Sequence, residues 1–513
     1  MSTELQAKFE KLVDKVLDKR PVLREIIEKR GDKNLYEYAK DYINVNLNPP
    51  IQQRQDELIG TMSEEIQRLL GADVAKSVAD QLAAHYYVST ADHHGPVTHP
   101  FFINSNLLTS APFFEHSDPV LQNVIVLACG SVSLNNSSWP RGILFNTYTK
   151  GKIQTQKLSF FPAKDRLCPV FNYRSYTKED IERCKGFLRD MIKSGDVHIE
   201  EGTKIEALLD EIYLNPAALD SQDFSEQVTK TNFKLWKKFF GEKYADEAPN
   251  LIYLEMESIV TKLLVKHHLY TDTVMTHLLF DHAYDPLVEK HFDGIQGAFD
   301  RKANYGTYLF WGLPKGAKYR IQMWKEGDFL VAEDGSYKIE LKPEIIQKAL
   351  ETKELMPSMM LSYMVLAFYY GLKCLGGFSQ VNYLTFMKNA YIKMNVDRGN
   401  YRSIEVCARS QTKEMGGDFT LAFMGGPNGE LVPSTGLDLI LYGTEESWPK
   451  LIEQSKIISL KEGIFTLMPE FYRILYLETE RDPELLSVSP EDITKLLKLD
   501  EKVKACTNIK VHE

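Results

Sequence analysis

Apolar positions recur at three- and four-residue spacing through the first part of the chain. Leu5, Phe9, Leu12, Val13 and Val16 mark one face of a helix, and segments 51–70 and 72–86 continue as helices split near Gly71. The run Asn46-Leu47-Asn48-Pro49-Pro50 separates the first helices from these, because proline cannot continue a helix and restricts the residue before it. Near His85 the periodicity gives way to a stretch rich in Asn, Ser, Thr, His and Pro. Val124-Ile125-Val126-Leu127 then forms a short continuous apolar run, the pattern of a strand buried on both faces. Segments 143–145 and 153–158 read as further strands.

Helix returns over 178–245, with Thr177 and Asp180 at the spacing of a capping box. Segment 251–268 reads as a strand turning into a helix, followed by helical pieces at 273–279 and 284–291. Segment 300–331 reads as β-rich, with a hairpin around Pro314-Lys315-Gly316. The pattern predicts helices over 343–352 and 357–375, the second ended by Gly376-Gly377. Strands are predicted at 419–423 and 437–441, and short helices at 448–457 and 490–497. Helices and strands interleave irregularly rather than as steady βαβ units. The expected fold class is therefore α+β, with a mixed α/β arrangement as the alternative. The expected organisation is a helical segment 1–85, a strand-and-polar-loop module 86–175, a mixed helical and β region 176–400 and an α/β region 401–513.

Composition excludes whole classes. With 43% hydrophobic and 26% charged residues among 513, the chain has enough apolar surface to fold and is not a disordered protein. Its formal charge of -10, without a cluster of Lys and Arg, argues against nucleic acid as a partner. The apolar stretch 355–375 is interrupted by Pro357, Ser358, Ser362 and Lys373, so it reads as core rather than as a membrane span. Segment 1–24 has no apolar region of a secretory signal. Six cysteines without a C-x-x-C pair suit a reducing compartment. A soluble, cytoplasmic protein acting on a small molecule is expected.

The densest polar constellation is Asp92-His93-His94-Gly95-Pro96-Val97-Thr98-His99, flanked by His85 and His116. Imidazole nitrogen and carboxylate oxygen suit zinc, iron or manganese, so Asp92, His94 and His99 are the expected ligands of a divalent metal. Asp92 and His93 are the expected acid–base groups. Cys129, in Ala128-Cys129-Gly130-Ser131 after an apolar strand, is a candidate nucleophile. Asn104, Asn106, Asn135, Asn136, Ser138 and Arg141 are expected to bind a polar or anionic substrate, Arg141 through its fork of donors. A second group, His267, His268, His277, Asp281, His282 and His291, gains meaning only if the fold brings it to the first. The resulting expectation is a metal-dependent hydrolase. A metabolite-binding or scaffold protein and a hydrolase or transferase using Cys129 are the alternatives.

Overall fold

The structure, a computed structural model, describes residues 3–45, 52–114, 118–296 and 298–512. The prolyl loop at 46–50 and His116 lie outside the described residues. The chain is 53% helix and 15% strand, the strands spread over several small sheets, which makes it an α+β fold.

Four strands form a parallel sheet at the centre: β1 (Tyr87–Ser89), β2 (Asn123–Ala128), β3 (Asn250–Glu255) and β4 (Lys373–Leu375). Their order is β4-β1-β2-β3. Alternation divides the side chains between two cores. Tyr87, Val124, Val126, Leu251, Tyr253 and Leu375 point into one, while Val88, Ile125, Leu127, Ile252, Leu254 and Cys374 point into the other. A sheet covered on both faces needs apolar residues at consecutive positions, which is why β2 reads as an unbroken apolar run.

The second core is closed by α1 (Gln52–Leu70) and α2 (Ala72–Ala84). The break between them falls at Gly71, whose φ of 99° suits glycine. On the first core lies α3 (Pro100–Ser110), inside the stretch read as polar loop. Its start is set by Pro100 at the first helical position and by His99. Its Asn104, Ser105 and Asn106 are all buried, so no amphipathic stripe announced it. Helix α4 (Phe224–Lys238) covers the same face. Helix α5 (Met256–His267) leaves β3 directly and covers the other. The first core continues into the N-terminal helix Thr3–Lys19 and the helices of the C-terminal region, so all four expected segments contribute side chains to it.

The capping box of Thr177 and Asp180 is present. So is an antiparallel pair across the Pro314-Lys315-Gly316 turn, Phe310–Gly312 with Ile321–Glu326. Two expectations are corrected. Residues 357–375 are not one helix but strand Leu355–Pro357, helix Met359–Tyr363, a π-helical segment Met364–Tyr369 and β4. Total burial made the run uniformly apolar, so periodicity could not separate helix from strand. Gly376-Gly377 therefore follows a strand. Residues 437–441 lie in helix Gly436–Leu441, begun by a capping box of Thr435 and Asp438, and the strand nearby is Phe423–Gly425 rather than 419–423. No helix among the described residues is long and apolar enough to cross a membrane.

Candidate active site

Because the four strands are parallel, the loops after them gather at one edge. In open α/β sheets this carboxyl edge is where ligands bind. The loops after β1 and β2 stay paired for one further step: Cys129 N donates to Asp92 O at 2.9 Å and His94 N to Cys129 O at 2.9 Å. The end of β3 brings Glu255 and Glu257 beside them.

Asp92 is fully buried. Its Oδ2 accepts from Asn106 Nδ2 at 2.9 Å and its Oδ1 has no hydrogen-bond partner. Burial pushes its pKa up to about 7, against the hydrogen bond of Asn106. His93 lies with one ring nitrogen, Nδ1, 2.9 Å from Asn136 Oδ1 and 3.3 Å from the Ser138 hydroxyl. Burial pulls it down to about 4, so it is neutral near pH 7. The same holds for His94, whose Nε2 lies 3.1 Å from the carbonyl of Ser225. The Ser225 hydroxyl lies 3.1 Å from the same nitrogen, and Nδ1 has no hydrogen-bond partner.

His99 is used otherwise. Its Nδ1 accepts from Phe101 N at 3.3 Å, capping α3, and its ring lies against Phe101 and Phe102. Asp92, His94 and His99 do not bring three ligand atoms together. Among the described residues the group that does so, within 4.8 Å, is His198, Glu200 and His512. These lie towards the surface, with the two imidazoles stacked 3.4 Å apart and His512 bonded to Glu201. His85 pairs with Asp118 at 3.1 Å.

The expected substrate residues divide. Asn136 and Ser138 meet His93, and Asn106 meets Asp92. Asn104 is structural: its Oδ1 accepts from Leu421 N and Ala422 N at 2.6 Å each, tying α3 to the C-terminal region. Asn135 is exposed. Arg141 stacks over Trp139 at 4.2 Å with Nε and Nη1 buried and unpartnered.

The Cys129 thiol bonds to no histidine among the described residues. Its Sγ lies 3.1 Å from the Ser131 hydroxyl and 3.4 Å from Glu257 Oε1. Burial and the Glu257 charge push its thiol well above the ordinary range, opposite to what a thiolate nucleophile needs. Glu257 itself accepts from Gly130 N at 2.7 Å and Ser131 N at 2.9 Å, so this carboxyl fills the amide cradle after β2.

The strongest constellation surrounds Glu255, which the sequence reading passed over. Glu255 is 3% exposed. Its Oε2 accepts from the Ser258 hydroxyl at 2.5 Å and its Oε1 has no partner. A Cβ at residue 130 would fall on its carboxyl, so Gly130 is required for the approach. Lys353 Nζ stands 4.0 Å from Oε2 and donates at 2.6 Å to Asp223 Oδ2, whose Oδ1 caps α4. Burial pushes Glu255 up to about 8, with Lys353 opposing. Burial works against the Lys353 ammonium, but Glu255 once ionised, and Asp223 bonded to it, hold its pKa above the usual lysine value.

Lys353 has φ of 57°. It follows the helix Pro343–Glu351 in the left-handed position that glycine ordinarily fills: Lys353 N bonds to Leu350 O and Glu354 N to Ala349 O, a Schellman ending. Glu255, Lys353, Asp223, Ser225, Ser258 and Lys262 line a cavity of about 440 Å³, within the range of small-molecule sites. A carboxyl at the end of an apolar strand was visible in the sequence. Lys353, far away in a helix end, gave no signal.

The second histidine group does not join this edge. His268 lies between Tyr369 and Tyr370, His277 pairs with Asp272, His282 with Asp285 and Asp328, and His291 with Asp397. Comparison with known protein families and with curated proteins finds no match for this chain.

Proposed function

We propose that the chain is an enzyme carrying out acid–base chemistry, with hydrolysis the favoured class, on a polar or anionic small molecule held in the 440 Å³ cavity. The observation that carries this reading is the buried Glu255 carboxyl with an unpartnered Oε1 at the carboxyl edge of a parallel sheet, its pKa near the working range of a general acid. Glu255 would give its proton to the leaving oxygen or nitrogen and recover one from the water that replaces it. Lys353, held by Asp223, would bind the anionic portion of the substrate.

The test is a panel of esters, amides, phosphoesters and glycosides. Turnover that falls about 100-fold or more in Glu255→Gln supports the reading; turnover that survives in both Glu255→Gln and Lys353→Met overturns it. A second reading is a divalent metal at Asp92 and His94, favoured by the unpartnered Asp92 Oδ1 and His94 Nδ1. Elemental analysis of purified protein beside His94→Ala tests that one.

A further inference from the structure

A larger cavity, about 630 Å³, opens at the opposite end of the sheet. The start of α1, the end of α5, the segment just before β4 and residues 398–409 enclose it. Its cationic lining is Arg54, Arg398, Arg402 and Arg409. Three carboxylates share it: Glu57, Asp272 and Glu405. An excess of guanidinium in one cavity stands out in a chain of net charge -10.

How the charges pair decides the matter. Asp272 is taken by His277 at 2.8 Å and Glu405 by Arg409 at 3.0 Å. Glu57 accepts from the Tyr370 hydroxyl at 3.3 Å. Arg398 reaches Asp281 at 3.3 Å. Arg54 donates to a carbonyl, that of Tyr369 at 2.9 Å, and its guanidinium carbon lies over the Tyr369 ring, 3.9 Å from the centroid. Among the described residues neither Arg54 nor Arg402 has a carboxylate partner. The carboxylates are thus engaged, while two guanidinium groups have no carboxylate among the described residues. The Tyr369 carbonyl and ring together hold Arg54 in place, and a held guanidinium suits two-point recognition of an oxyanion.

We propose that this cavity is a second binding site, for a small molecule bearing at least two oxyanion groups, with Arg54 and Arg402 as its principal contacts. Phosphoryl and carboxyl groups share the required chemistry, and the proposal stands independently of the reading at Glu255.

The experiment is calorimetric titration of the full chain with pyrophosphate and, separately, with citrate. The variants are Arg402→Gln, Arg54→Gln, their double and Lys353→Met, each checked by circular dichroism. Arg402 is exposed and unpartnered, so its variant retains the fold. The expected result is a dissociation constant of about 1 mM or tighter for at least one anion, weakened about tenfold in each single variant, with this arginine-dependent binding still present in Lys353→Met. Pyrophosphate alone binding assigns a phosphorylated ligand; citrate alone assigns a polycarboxylate. No binding of either up to about 10 mM, undiminished binding in the double variant, or loss of all binding in Lys353→Met overturns the proposal.

Discussion

The ammonium of Lys353 stands 4.0 Å from the carboxyl of Glu255. The two groups arrive from elements nearly a hundred residues apart, a helix end and the end of a parallel strand. Lys353 takes a backbone conformation that costs an L-residue roughly 1–2 kcal/mol. Glycine would take it freely, but glycine would bring no side chain to the cavity. Lys353→Gly therefore keeps the helix ending and loses the function proposed for the site. Circular dichroism and ligand binding measured together check this; unchanged binding of the substrate's anionic portion contradicts it.

Glu255 sets a pH dependence of stability. Its folded pKa is about 8 against an ordinary 4.5, so the folded state holds a proton that the unfolded chain releases. Its contribution is thus fully present below about pH 4.5 and is lost as pH rises towards 8, at a slope of up to about 1.4 kcal/mol per pH unit. Asp92, raised to about 7 from 3.8, acts in the same direction. Urea unfolding of the wild type and Glu255→Gln at pH 5, 6, 7 and 8 reads the difference directly. The stability of wild type relative to variant should fall across this range; a flat difference would falsify the shifted carboxyl.

Cys129 should react slowly. Its thiol is half-buried beside Glu257 and held protonated. Iodoacetamide at pH 8 is expected to modify it at least about tenfold more slowly than a free thiol, and Cys129→Ser should retain turnover. Rapid alkylation that abolishes activity would restore the thiol-nucleophile reading.

His99 and Asn104 should matter for stability alone. Replacing the cap of α3 in His99→Ala should cost about 1 kcal/mol, and His99→Ser should recover most of it. Asn104→Ala leaves the buried amides of Leu421 and Ala422 unpaired, at about 1–3 kcal/mol for each amide. Denaturant titration checks both. A change in bound metal in the His99 variant, without a change in stability, contradicts the capping role.

The outline of the fold was legible where burial was one-sided or the strand was doubly buried. Helices α1 and α2 showed their stripes, and β2 showed its apolar run. Where everything is buried, the signal vanished: 357–375 hides a strand, two helical turns and another strand in one hydrophobic stretch. Helix α3 was hidden by the same total burial, because Asn104, Ser105, Asn106, Thr109 and Ser110 are buried along with Phe102, Ile103, Leu107 and Leu108, so no polar face marks it off. Of the polar residues singled out in the sequence, Asp92 meets Asn106 of α3, and His93 meets Asn136 and Ser138, because the loops after β1 and β2 run side by side. Lys353 and Asp223 were not legible, since only the long-range packing of α4 and the helix Pro343–Glu351 against the end of β3 brings them to Glu255.

The claim at the centre of this account is a carboxyl at Glu255 that keeps its proton near neutral pH beside a charged lysine. Infrared difference spectroscopy tests it without knowledge of the substrate, by comparing the protonated carboxyl band of the wild type with that of Glu255→Gln between pH 5 and 9. The account predicts a band at pH 7 that is absent in the variant and disappears with a midpoint near 8. Identical spectra for the two proteins at pH 7 would mean that Glu255 is ionised there, and the proposed proton donor would be lost.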